Sequence, residues 1–162
     1  MVLVRKLRAP FNPEFAIGAI DEDGRSRVSE GALEAGADNT YLDRERLLQF
    51  RTLRARRRLY TRARPPINPA GRIAIVIDDG LATGATMIAA LSAVRSKQPA
   101  ELICAVPVAS PSALARVGQH ADETMCLHAP AAFRSVGQFY ADFPQVDDAE
   151  VVELLQPAEE AC

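Results

Sequence analysis

Two adjacent carboxylates, Asp78 and Asp79, close an apolar run and open a loop of small and hydroxylic residues; the stretch Ile73 to Met87 reads IAIVIDDGLATGATM. The five apolar residues Ile73 to Ile77 do not alternate with polar ones, which predicts a strand buried on both faces. Gly80 to Thr86 predict a turn, and the periodic apolar residues beyond predict a helix. A phosphate monoester needs several N–H donors converging on one point. The first turn of a helix offers N–H groups with no internal partner, and its dipole favours an anion. The backbone comes close to phosphate oxygens only where side chains are small. Ala82, Thr83, Gly84, Ala85 and Thr86 meet that condition, and the two threonines add hydroxyls. Each charge-assisted bond contributes roughly 1.5–3 kcal/mol, so four or five of them hold a dianion. The acids repel a phosphate. They suit a ribose diol, whose hydroxyls donate to carboxylates, or a Mg²⁺ shared with the ligand.

Other phosphate loops fit less well. A Walker loop needs a lysine before its Ser/Thr, and no lysine lies between Lys6 and Lys97. A dinucleotide fingerprint needs G-x-G-x-x-G, whereas this loop has only Gly80 and Gly84. The bland alternative is a tight strand-to-helix turn with solvated acids. A lone DDG would be read that way; the full strand–DDGLATGAT–helix string favours a ligand site.

VIDDGLATGAT resembles the ribose-phosphate-binding signature of the type I phosphoribosyltransferases. LVRKLRAPFNPEFAIGAI, AVPVASPSAL and VGQFYADFPQVDDAEV resemble a bacterial subgroup of that family, so the likeness runs along nearly the whole chain. It implies an α/β fold with a mostly parallel sheet flanked by helices. It also implies that Asp78 and Asp79 hold the ribose hydroxyls of phosphoribosyl pyrophosphate, with Mg²⁺ as cofactor. Ala82, Thr83, Gly84, Ala85 and Thr86 would hold the 5′-phosphate, with Gly80 also part of the phosphoribosyl site. Family members normally begin with a helix, a strand and a short pyrophosphate loop. Met1 stands directly before the strand VLVRKL, and we expect that segment to be absent here. Arg5 and Lys6, at the end of that strand, are then candidates for the pyrophosphate side, weighed evenly against a surface pair on an exposed edge strand. In purine-using members an aromatic residue stacks on the base and a nearby acid contacts Mg²⁺. Phe133 or Tyr140, with Asp142, match those parts; core packing of Phe133, Phe139 and Phe143 is the competing reading.

Asp43 to Arg62 predicts a helical arm with Leu42, Phe50, Leu53 and Tyr60 on one side. Nine arginines between Arg44 and Arg64 suggest a nucleic-acid stripe. No interleaved aromatic platform for bases accompanies them, and the net charge is −2. A solvated face with acidic partners such as Glu45 is preferred. His120 and His128 have no carboxylate at metal-ligand spacing, which argues against zinc.

At 162 residues, one domain over 1–156 is expected, with a frayed tail at 157–162. Apolar residues at 48% and charged at 25% are ordinary globular values. No apolar run reaches membrane-spanning length and no signal peptide opens the chain. Cys104, Cys126 and Cys162 show no metal-like spacing, and Cys104 and Cys126 are expected as small buried hydrophobes in a reducing cytoplasm.

Before the central motif we expect strands at Val2–Leu7 and Glu14–Ile20. A hairpin turn follows at Asp21–Gly24, and then a mobile loop over Ser26–Asp38 with one further strand piece. After the arm we expect three strand-and-helix units: Arg72–Asp78 with Gly84–Lys97, Glu101–Val108 with Pro111–Gly118, and Glu123–Leu127 with a short loop. Asp147–Leu155 should form a terminal helix. This alternation predicts a parallel sheet of four to five strands, with ligands at the carboxyl ends of its strands. The expected function is transfer of a phosphoribosyl group from phosphoribosyl pyrophosphate to a nitrogenous base, by a cytoplasmic homodimer. The alternative is a non-catalytic ribose-phosphate or nucleotide-binding module, or a truncated form of the enzyme.

Overall fold

Short connections decide the pairing of the first strands. Strand β1 (Val4–Ala9) and strand β2 (Asn12–Asp21) are separated by two residues, Pro10 and Phe11. A link that short permits only an antiparallel pair. The structure, a computed structural model, describes residues 1–63 and 65–156; the expected frayed tail lies outside the described residues. β1 and β2 pair antiparallel, with Lys6 opposite Ala19, and β3 (Ser26–Val28) joins the far side of β2. The turn before β3 is held by Asp21, whose Oδ1 accepts from the backbone N–H groups of Asp23 and Arg25 at 3.0 and 2.8 Å.

Longer crossovers give the second sheet. β4 (Ile73–Ile77), β5 (Glu101–Val108) and β6 (Glu123–His128) are parallel in that order. Helix α2 (Ala85–Arg95) links the first two and α3 (Pro111–Val117) the last two. The parallel sheet therefore has three strands, not the four to five expected, because β1 and β2 form a sheet of their own. The Ser26–Asp38 stretch carries the expected strand piece, β3, followed by a short 3₁₀ turn (Glu30–Ala32), and Ala32 and Ala37 are buried.

The layers follow from where the apolar side chains go. α1 (Asn39–Ala63) lies on one side of the antiparallel sheet, where Leu7, Ile17 and Leu53 are fully buried; each contributes roughly 1.5–3 kcal/mol. α2 contacts β1 and β2 as well as β4 and β5. Its Met87, Leu91 and Val94 pack with Leu102, Cys104 and Val106 of β5 and with Ala113 and Val117 of α3. A last helix, α4 (Asp148–Leu155), docks on α1 through the Tyr60 hydroxyl, which donates to Asp148 Oδ1 at 2.6 Å.

Two expectations fail instructively. Glu45 is buried, not solvated. The β1–β2 register shifts between Leu7 and Arg8, and the Arg8 N–H donates to Glu45 Oε1 at 3.0 Å. Gln49 Nε2 donates to the same oxygen at 2.9 Å. The second failure is β4, which is not covered on both faces. Ile73, Ile75 and Ile77 are 63%, 57% and 74% exposed, and Met125 and Leu127 of β6 are also exposed. Among the described residues no helix lies over that face.

Candidate functional site

The end of β4 hands the chain directly to the loop singled out above. Leu81 stays tied to the sheet, its N–H donating to the Val108 carbonyl at 2.9 Å. Gly84 then takes φ 76°, in the left-handed region, and α2 starts at the next residue. A Cβ at Gly84 would lie 2.8 Å from Cγ2 of Val117, so both the backbone angle and the space demand glycine. The first intrahelical bond runs from Ile88 N–H to the Gly84 carbonyl. The N–H groups of Ala85, Thr86 and Met87 precede it and have no intrahelical partner; only Ala85 meets a side chain, the Thr83 hydroxyl at 3.5 Å. This is the geometry that suits an anion.

Asp78 is half-buried and Asp79 exposed. Burial, the largest cause, pushes the Asp78 carboxyl up, and the charge of Asp79 adds to it. The Asp79 N–H, 3.1 Å from Asp78 Oδ1, and the Lys6 ammonium pull it back. Burial also raises Asp79, opposed by the Gly80 N–H. Two acids that hold protons more tightly than usual are poised for a cation or for hydroxyl donors. Their hard oxygens fit Mg²⁺, which is typically held by one or two carboxylates plus substrate oxygens. Among the described residues no group of three or more His, Cys, Asp or Glu forms a metal cage.

The other candidates divide by strand alternation. Lys6 lies in the field of Asp78. Its neighbour Arg5 turns toward α1, where its Nε donates to Gln49 Oε1 at 2.6 Å. The expected Arg5–Lys6 pair is therefore split across the sheet, and Lys6 alone of the two is near the acids. A cleft of about 540 Å³ starts beside Asp78 and Thr86 and follows β4 between Met1–Val4 and Pro65–Pro69.

On the other side, the segment after β6 folds over the acid turn. The Tyr140 hydroxyl donates to the Asp79 carbonyl at 2.7 Å. Gly80 has no room for a side chain, since a Cβ would lie 2.8 Å from Val136 and 2.9 Å from Val108. Phe139 packs between Phe133 and His128, with ring centroids 5.6 and 5.8 Å away, and Phe143 lies 5.0 Å from Tyr140. These rings form a surface cluster and not a core; Asp142 is exposed beside them. Cys104 is buried and its thiol is pushed up to about 11, chiefly by that burial, the environment of a structural cysteine. Sequence reasoning missed Ser110 and Arg116, which contact the loop from α3; the PSAL string signals a helix start but not what it touches.

A parallel sheet flanked by helices, with an acid pair at the end of β4 and a helix N-terminus after it, places the chain among the α/β proteins. Comparison with known proteins makes this specific: residues 16–144 match the phosphoribosyl transferase domain model. The chain belongs to that family. It is 40% identical over 159 residues to two Mycobacterium tuberculosis proteins, named "Putative phosphoribosyl transferase Rv0571c" and "Putative phosphoribosyl transferase MT0597". Those matches take in 98% of this chain and 36% of each relative, so the chain spans about a third of their length. The crystal structure of TT1426 from Thermus thermophilus superposes with a TM-score of 0.75 at 46% identity, covering 95% of this chain and 73% of that one. No described helix is long and apolar enough to cross a membrane.

Proposed function

We propose that this chain binds phosphoribosyl pyrophosphate and transfers its phosphoribosyl group to a nitrogenous base. The observation that carries the reading is the left-handed Gly84, which opens a helix N-terminus directly beside two carboxylates with raised pKa. The N–H groups of residues 82–86 and the hydroxyls of Thr83 and Thr86 donate to the 5′-phosphate. Asp78 and Asp79 accept from the two ribose hydroxyls. This fixes C1′ between the Lys6 side and the Tyr140 side. A base nitrogen attacks C1′, the bond from C1′ to the pyrophosphate oxygen breaks, and pyrophosphate leaves with the electron pair. Mg²⁺ held at Asp78 and Asp79 would supply positive charge to the leaving group. The protein's part is position and electrostatics: Lys6 offers a cation, and the cluster of Phe133, Phe139 and Tyr140 offers apolar surface for a flat base.

Ligand binding without turnover is the second reading, and one observation favours it. Lys6 is the only cation among the groups that act on Asp78. Removing donors aimed at developing charge costs on the order of 10²–10³ in rate. The test is pyrophosphate release from phosphoribosyl pyrophosphate and Mg²⁺ with adenine, guanine, hypoxanthine, uracil and orotate in turn. Release with one base supports transfer. Tight binding with no release from any base supports the second reading.

A further inference from the structure

We propose that Ser110 and Arg116 are positioning residues that hold the loop's backbone donors turned toward an anion. The proposal rests on reading residues 82–86 as the phosphate site. Three consecutive carbonyls of the loop are engaged by Ser110, at the start of α3, and Arg116, in its last turn. The Ser110 N–H donates to the Leu81 carbonyl at 2.9 Å. The Ser110 hydroxyl donates to the Ala82 carbonyl at 2.8 Å. An Arg116 guanidinium N–H donates to the Thr83 carbonyl at 2.8 Å. In a planar trans peptide, the N–H points opposite to the carbonyl of the same unit. The N–H groups of Ala82, Thr83 and Gly84 therefore point away from α3. None of the three donates to a protein acceptor among the described residues. They continue into the N–H groups of Ala85, which reaches only the Thr83 hydroxyl at 3.5 Å, and of Thr86; the result is a run of donors along the loop. Successive N–H groups so arranged form an anion-binding concavity.

Ser110 has a second duty, because its hydroxyl also accepts from the Ala113 N–H at 3.1 Å and caps α3. The Arg116 side chain has none: it is exposed, and among the described residues the Thr83 carbonyl is the one partner of its guanidinium. Arg116 is thus the cleaner probe. Its guanidinium draws the negative end of the Thr83 peptide dipole toward α3, which leaves the positive end for the ligand.

The test is calorimetric titration of ribose 5-phosphate into wild type, Arg116→Ala, Arg116→Lys and Ser110→Ala, with melting temperatures measured in parallel. Arg116→Ala should weaken binding by about tenfold, the loss of one oriented donor set, with its melting temperature unchanged. Arg116→Lys should recover most of the affinity, since an ammonium donates to the same carbonyl. Ser110→Ala should weaken binding and also lower the melting temperature through the lost cap. Unchanged affinity in Arg116→Ala, or a loss that tracks a fall in its melting temperature, overturns the positioning role while leaving the phosphate site intact. A wild-type chain that does not bind ribose 5-phosphate overturns the site reading itself, and the positioning role with it.

Discussion

The Tyr140 hydroxyl donates to the backbone carbonyl of Asp79 across 2.7 Å. The two residues are 61 positions apart, and this bond ties the aromatic segment after β6 to the turn that carries both acids. Val136 seats against the bare Cα of Gly80 in the same contact. The base side and the sugar side of the proposed site are thus one joined surface.

Replacing Tyr140 by phenylalanine keeps the ring packing on Phe143 and removes only the hydrogen bond. Such a bond contributes roughly 0.5–1.5 kcal/mol net. Affinity for phosphoribosyl pyrophosphate with Mg²⁺ should fall less than about tenfold, with the far-UV circular dichroism unchanged. An identical affinity by calorimetry would mean that the segment is held without this bond.

Gly84→Ala should be costly to the fold. The residue has φ 76° and its Cβ would stand 2.8 Å from Val117 Cγ2. Strain of this kind costs about 1–3 kcal/mol, measurable as a lower urea midpoint. Thr86→Val is the better probe of ligand binding. It removes a hydroxyl from the loop without touching a strained angle, and should weaken ribose 5-phosphate binding at constant stability.

The acid pair should behave as a destabilising element of the free protein. Both carboxyls are raised above their ordinary values, Asp78 by burial and then by Asp79, and Asp79 by burial. A group with a raised folded pKa favours the fold most below its unfolded pKa, and that contribution is lost as pH rises through the folded pKa. At neutral pH both acids are therefore unfavourable for folding. Asp78→Asn with Asp79→Asn should leave the melting temperature equal or higher at pH 7, with a smaller difference near pH 3. The same variant should lose binding of phosphoribosyl pyrophosphate with Mg²⁺. A large fall in melting temperature without ligand would make the acids structural.

Glu45 should matter more than a helix-surface acid normally does. It accepts from the Arg8 N–H and from Gln49 Nε2 in a buried position. Glu45→Ala leaves both donors without their acceptor, at a cost of about 1–3 kcal/mol. Equilibrium urea unfolding measures this; a change below a few tenths of a kcal/mol would show that water replaces the carboxylate.

The fold class and the local strand–loop–helix structure of the candidate site were legible in the sequence; the arrangement of the sheets was not. The acid pair, the small-residue loop and α2 form one continuous string, so local chemistry was enough to place them. The sheet count was not legible that way. Val4–Ala9 reads like any strand, and its partner was decided by a two-residue link whose consequence is geometric. The apolar run Ile73–Ile77 misled for a related reason: it reports what the strand can bury, not what lies over it. Glu45 looked like a solvated acid because the backbone donor that needs it belongs to a register shift 37 residues away. Ser110 and Arg116 escaped notice because their partners, Leu81 to Thr83, meet them only once β4 and β5 are side by side.

Because α2 touches β1 and β2 on one side and β4 and β5 on the other, it acts as a beam between two cores that otherwise gather separate sets of side chains. The proposed phosphate loop forms the end of that beam. A ligand held there would restrain a helix on which both halves lean, so its binding free energy, RT ln(1 + [L]/Kd), would stabilise both at once. A ligand bound there would raise the melting temperature of both halves together, in step with its concentration.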